Sequence, residues 1–459
     1  MSLLIILFFA FFGLLALVRL DLAILALIVL LPSYVLRFKI GPFPSTLLEG
    51  MILISFIIWF CRDYLPQIKS IIKNRTKRLN YPFAKEIVLL LLVSLLGAGV
   101  ANFNLSALGI WKAYFLEPIL LYLLIFNVFK TKQDLLKILG AFSLSAIGIA
   151  GFAVFQKITG SYIDNPFWAA EASRRVVSVF GYPNALGLYL APLIMLLGGW
   201  LLSWQASDKL VIFKRLAIGS VMAISLLAIY FAHSEGALLA IVGSLLIFGL
   251  LSGRRERWII TAALIITIGG VFWFAPTNNF VVQKLALQDL SGQIRQQQWK
   301  ETVKMLGQGH YFFGTGLNQY PIAVAPYHQA GIFFNRDHLA NFGTLTYASS
   351  TLRAKYWQPV EIYQYPHNII LNFWTELGLL GLLLFIWLIV KYLIINYRLY
   401  RYLKNQPDRY LILGLIGAMT AIIIQGLVDV PYFKNDLSAM FWLFFALSGA
   451  VNIYYRSKS

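Results

Sequence analysis

The sequence predicts an all-α integral membrane protein, a polytopic bundle of 12–13 transmembrane helices with a long external loop, and three observations predict it. Of its 459 residues, 59% are hydrophobic and 12% charged, too few polar groups to cover a water-soluble globule of this size. Apolar runs of roughly 15–22 residues recur from end to end, each close to the roughly 20 that cross a bilayer as helix. The runs are too long and too uniformly apolar for barrel strands, and backbone in hydrocarbon must find its partners within its own segment, so the crossings are helices.

The first run, MSLLIILFFAFFGLLALV, has neither a basic leader nor a small-residue cleavage site and reads as a retained span. Val18 to Asp21 forms a short hinge after it, which leaves the side of the N-terminus open. The single cysteine, Cys61, ends a span beside Arg62; it has no intrachain partner and reads as packing. The net charge of +19 sits in short loops between spans, where basic residues set orientation, so nucleic acid is not an expected partner. On that rule residues 62–86, 130–137, 209–215, the GRRER turn at 253–257, residues 391–409 and the C-terminal RSKS face the cytoplasm. Residues 158–183, HSEG at 233–236, the segment 276–366 and PYFKND at 431–436 face outward. The expected organisation is one integrated membrane domain: an N-terminal bundle (1–275), an external loop region (276–366) and C-terminal helices (367–459). No internal repeat is visible.

The segment between Pro276 and Pro366 is far longer than an ordinary connection, and loops of that length commonly carry function. Within it SGQIRQQQWKETVKML (291–306) reads as an amphipathic helix, with Ser291 as cap and Ile294, Trp299, Val303 and Leu306 as its apolar face. Arg295 lies one turn before Trp299. The glycines of GQGHYFFGTGLNQY (307–320) suit tight turns, and with no strand before them they are not a phosphate loop. The chain then re-enters the membrane through YQYPHNIILNFWTELGLLG (363–381). Pro366 suits a first helical turn, which sets His367 and Asn368 at the positive helix end and favours a neutral imidazole. Asn368, Asn372 and Glu376 share one face, flanked by Thr375, and Gly378 and Gly381 admit a close helix neighbour.

Each of these residues has a plain reading beside a chemical one. His367 is a general base or an interfacial hydrogen-bonder; Asn372 and Glu376 tie helices together, or Glu376 tunes a site. Arg295 is a phosphate clamp or a solvated charge. Arg174 and Arg175, beside a membrane re-entry, suit an anionic lipid head group, whereas Lys300 and Lys304 read as surface charges. The spacing of His310, His328 and His338 fits no zinc motif, no D-x-D occurs, and Asp429 and Asp436 read as helix caps, so no metal is assigned. No G-x-S-x-G marks a hydrolase nucleophile.

In combination, His367-Asn368 ahead of an apolar helix with Glu376-Leu377-Gly378-Leu379-Leu380-Gly381 resembles the hallmark of the O-antigen ligase and polymerase family, bacterial membrane glycosyltransferases of the C type. GYPNALGLYLAPL (181–193), with Asn184, is similar to the family's Pro-Asn entry into a span. HSEGALLA (233–240) stands in the place of its Ser-Arg-Gly-Ala turn, and IRQQQW to GTG (294–316), with Trp299, resembles its Arg and Trp helix and Gly-x-Gly. The resemblance spans roughly residues 110–450. It implies a multi-pass protein of the bacterial plasma (inner) membrane that moves an oligo- or polysaccharide from an undecaprenyl-diphosphate carrier to an acceptor hydroxyl on the external, periplasmic side. No cofactor or metal enters the implied reaction, and the acceptor is a glycan, lipid or protein. It implies that Arg295 holds the diphosphate and that His367 activates the acceptor. One position departs from the pattern: Glu235 replaces the family's second arginine, so Arg174 or Arg175 supplies the charge, or the donor sits differently. Polysaccharide polymerase and protein O-oligosaccharyltransferase are alternatives within the family. A transporter is the alternative outside it, although neither inverted repeats nor broken helices are read here, and an assembly scaffold is a third.

Overall fold

Helix ends follow local chemistry throughout the structure, a computed structural model that describes residues 3–41, 43–66, 81–204, 209–253 and 286–456 with scattered positions from 257 to 283. Arg19 separates α1 (Leu3–Val18) from α2 (Leu20–Val29). Strands β1 (Arg37–Ile40) and β2 (Phe43–Thr46) form a hairpin. Thr46 then opens α3 (Leu47–Trp59) through a capping box with Glu49. After α4 (Ala84–Val100) and α5 (Leu105–Val128), a second capping box, Thr131 with Asp134, opens α6 (Lys132–Thr159), and Gly160 closes it in the left-handed region. Pro183 starts α7 (Pro183–Leu202), its missing N–H costing nothing there. Helices α8 (Lys209–Phe231), α9 (Glu235–Leu251), α10 (Leu290–Met305), α11 (Ile369–Tyr402), α12 (Arg409–Gly426) and α13 (Asn435–Arg456) complete the set.

The architecture is the expected all-α polytopic membrane bundle. Among the described residues seven helices, α5 to α8 and α11 to α13, are long and apolar enough to cross a membrane, and α1, α2 and α9 are shorter apolar helices. The difference from twelve or thirteen runs arises partly because α1, α2 and α9, with 16, 10 and 17 residues, fall short of a full crossing. Most of residues 259–275, the boundary at 275–276, most of the basic loop, the centre of GRRER and the last three residues lie outside the described residues. Cys61, expected to pack, is exposed, because the π-helical turn Phe60–Tyr64 carries it out beside the Arg62–Asp63 pair.

Helices α7, α12 and α13 form the buried centre, while α8 exposes most of its surface. A Cβ on Gly199 would come within 2.5 Å of the Gly414 Cα, and one on Gly417 within 3.0 Å of the Met195 Cε. These small residues let the backbones of α7 and α12 touch, and the pairing of 199 with 414 and 195 with 417 makes the two helices antiparallel. The start of α7 and the end of α12 therefore share one end of the bundle.

Helix α11 is not one rod. Gly378 has φ 71° and ψ −176°, a conformation that essentially only glycine adopts. The rings of Phe373 and Phe385 stack with centroids 3.7 Å apart, and Ile369 and Ile370 line one small apolar cavity with Ile389 and Val390. In a straight helix residues 369 and 389 would stand about 30 Å apart. Residues 369–377 therefore fold back along 379–390. The neighbour that Gly378 admits is a loop, not the expected helix: a Cβ there would lie 2.1 Å from the Phe312 carbonyl oxygen. A Cβ on Gly381 would meet Leu377 of the same helix first. The loop satisfies the backbone that the break frees, since Leu379 N–H donates to Phe312 (3.1 Å) and Thr315 N–H donates to Thr375 (2.6 Å). The turns of this loop fall on Gly314 and Gly316, at φ 67° and 87°, and Leu317 N–H ties it to Gly97 of α4 at 3.1 Å.

Candidate active site

Helix α10 begins at Asp289, whose side chain accepts from Gly292 N–H; the expected cap, Ser291, instead accepts from Arg295 Nη1 at 2.9 Å. Its buried face also differs from the expected one. Gln298, Glu301, Thr302 and Met305 are buried and Val303 is exposed, while Leu306 is buried as expected, in an apolar cluster with Met305, Tyr320 and Val324. Glu301 accepts from Gln329 N–H at 2.9 Å and meets His328 Nδ1 at 3.2 Å, and Thr302 pairs with the Tyr320 hydroxyl. This seating turns Trp299 towards the chain entering α11, where its indole N–H donates to the Pro366 carbonyl at 2.9 Å.

Pro366 and His367 precede the helix. Asn368 is the N-cap, accepting from Ile370 and Leu371 N–H, while its amide donates to the Leu427 carbonyl at 3.0 Å. His367 is left-handed at φ 45°, so the nearest charge on its imidazole is not a helix end but Asp429, 3.6 Å from Nδ1. That is an ion-pair separation a few tenths of an ångström beyond hydrogen-bond range. Asp429, expected as a cap, lies between α12 and α13; the same oxygen, Oδ1, also accepts from the Val430 N–H at 2.8 Å. Burial alone would push its carboxyl up, but the contact with His367, together with the Val430 N–H and the charge of Arg295, outweighs burial and holds it below the usual carboxylate range.

Asp429 also lines a cavity of about 270 Å³ together with Arg295, Arg175, Asn184, Glu235 and Gln425. Thus the structure brings four of the residues singled out from sequence to one chamber and sets His367 at its edge through Asp429. Arg175 Nε donates to the Ala232 carbonyl at 3.0 Å, and Nη2 reaches Asn184 Oδ1 and the His233 carbonyl at 3.4 Å each. Burial lowers the Arg175 pKa and the charge of Glu235 opposes that shift, so the two are electrostatic partners. Arg174 does not join them: its guanidinium is spent on the carbonyls of Lys157 and Ala169 and packs over Gly160. Asn372 and Glu376 are fully buried in the folded-back helix, and Glu376 accepts from Asn318 N–H at 2.7 Å. Glu376 thus faces the loop, and neither residue lines the chamber. Among the described residues no group of three or more His, Cys, Asp or Glu side chains is placed to hold a metal ion.

Residues 220–386 match the family described as O-antigen ligase. The match covers less than half of the chain; it supports a glycosyltransferase of the ligase and polymerase type, and the apolar helices support a multi-pass membrane protein. No curated protein sequence matches the chain. The O-antigen ligase match takes in Glu235, Arg295 and His367, whereas Arg175, Asn184, Gln425 and Asp429 complete the chamber from outside it. Gln425 draws no attention in the sequence, and Asp429 reads there only as a cap. Their signal was present: two polar groups four apart at the end of an apolar span, where such groups demand a reason.

Proposed function

We propose that this protein transfers an oligo- or polysaccharide from an undecaprenyl-diphosphate carrier to an acceptor hydroxyl at the external face of the bacterial plasma membrane. The observation that carries the reading is the meeting of Arg295 and Asp429 in one chamber, with the His367 imidazole 3.6 Å from Asp429. Arg295 and Arg175 bind the diphosphate by charge-assisted contacts and neutralise it as it leaves. Arg175 thereby supplies the cation that Glu235 displaces from the family pattern. Asp429 holds the Nδ1–H of His367 towards itself, which leaves Nε2 free to accept a proton. The acceptor oxygen attacks the anomeric carbon, the bond from that carbon to the diphosphate breaks with its electron pair on the leaving oxygen, and the hydroxyl proton passes to Nε2. No step in this sequence requires a metal. The indole of Trp299, bonded to the Pro366 carbonyl, fixes the histidine's backbone.

The test is transfer by the purified protein in lipid nanodiscs, given lipid-diphosphate-linked glycan and a panel of glycan, lipid and protein acceptors. Wild-type protein should form product, and His367→Ala and Arg295→Ala should each lose at least a hundredfold in rate, about 2.7 kcal/mol of barrier. Full activity in both variants would remove the site assignment. No product with any acceptor, alongside movement of the lipid-linked glycan between leaflets, would replace it with transport.

A further inference from the structure

Gln425 sits in the last turn of α12, one turn before Asp429, and lines the chamber while only 2% exposed. Among the described residues its Oε1 has no hydrogen-bond partner. A buried acceptor left unmade is costly. Gly236 leaves its approach clear: a Cβ there would sit 3.2 Å from Val428 Cγ2 and 4.0 Å from Gln425 Cγ. The chamber is also divided by chemistry. The groups that donate to anions, Arg175 and Arg295, come from the segment before α7 and from α10, whereas the end of α12 brings the Gln425 amide and the Asp429 carboxylate. A carboxylate repels phosphate oxygens, and an amide beside it suits hydroxyl groups, which both donate and accept.

We propose that Gln425 is a sugar-binding residue: Oε1 accepts a hydrogen bond from a ring hydroxyl of the glycan held between the two arginines and Asp429. This rests on the glycosyl-transfer reading above. The hydroxyl belongs either to the first sugar of the donor or to the acceptor, and the measurements separate the two.

Two variants remove the acceptor atom at nearly constant volume, Gln425→Met and Gln425→Leu, and Gln425→Glu keeps it. In nanodiscs, binding is measured for lipid diphosphate bearing a glycan and for the bare lipid diphosphate, together with KM for the acceptor. If the donor sugar is read, Met and Leu weaken glycan-bearing lipid about tenfold, leave bare lipid diphosphate unchanged, and Glu restores binding. If the acceptor is read, donor binding holds and acceptor KM rises about tenfold. Thermal unfolding of the unliganded protein is the fold control, and both apolar variants should melt no lower than wild type because the uncovered acceptor is gone. Equal weakening of glycan-bearing and bare lipid, or no change in any constant, overturns the proposal while leaving the transferase reading standing. Failure of wild-type protein to bind either lipid overturns both.

Discussion

Replacing Asp429 by asparagine keeps the volume of the side chain and removes its charge, and the structure sets the size of the effect. The Asp429 carboxylate is 3.6 Å from His367 Nδ1, with the two side chains 8% and 28% exposed. At an effective dielectric of about 20, unit charges at that separation attract by about 4–5 kcal/mol. The attraction matters most when the imidazole has taken the acceptor's proton, so its loss falls on the barrier and not on substrate binding. Partial exposure of His367 trims the figure, and a fall in kcat of about 10²–10³ is expected. Steady-state transfer with lipid-diphosphate-linked glycan reads it directly, with KM for the donor changing less than threefold because the arginines that bind it are intact. Asp429→Glu should recover part of the rate. A kcat within threefold of wild type for Asp429→Asn would refute the idea that this carboxylate works through His367.

Three further outcomes are expected. Gly378→Ala forces a Cβ to 2.1 Å from the Phe312 oxygen in a backbone region closed to alanine; a destabilisation of about 3 kcal/mol or more, read by thermal unfolding, is expected, and an unchanged melting temperature would contradict the fold-back at that residue. Exchanging the charges of Arg175 and Glu235 should cripple each single variant and partly restore transfer in the double, with a coupling of about 1 kcal/mol or more in the mutant cycle; strict additivity would separate the two residues. The Asp429 carboxyl is held low in the folded state, so its pairing stabilises fully above the unfolded value of about 3.9 and is lost as pH falls through the lowered folded value. Melting curves of Asp429→Asn should accordingly show a shallower loss of stability than wild type below about pH 4, and parallel curves would count against that pairing.

The membrane bundle was legible because hydropathy over twenty residues is a local property that tertiary packing cannot override. Arg295 and His367 were legible as chemistry, since a charge and an imidazole beside apolar chain need explaining wherever they lie. What brings them together was not. Asp429 reads as a cap from its neighbours alone, and only the approach of the α12 end to the α11 entry turns it into a partner of His367. The face of α10 was misread in part, because Glu301 and Thr302 find polar partners inward where apolar periodicity expected Val303. The reversal at Gly378 left no trace in a pattern of leucines that continues unbroken through it, because glycine is common in membrane helices that stay straight. Arg174 and Arg175, adjacent and alike in sequence, part company over which carbonyls lie within reach.

The loop at 312–318 and the reversal at Gly378 cannot be inherited separately. Because the backbone groups exposed by the bend find their partners in that loop, and the loop is in turn moored to Gly97, three stretches distant in the chain form a single cooperative joint. Grafting a relative's long connecting segment onto this bundle to alter its specificity would succeed only if the joint travels with it. A chimera that cuts between residues 318 and 372 would splice together halves of two incompatible hinges.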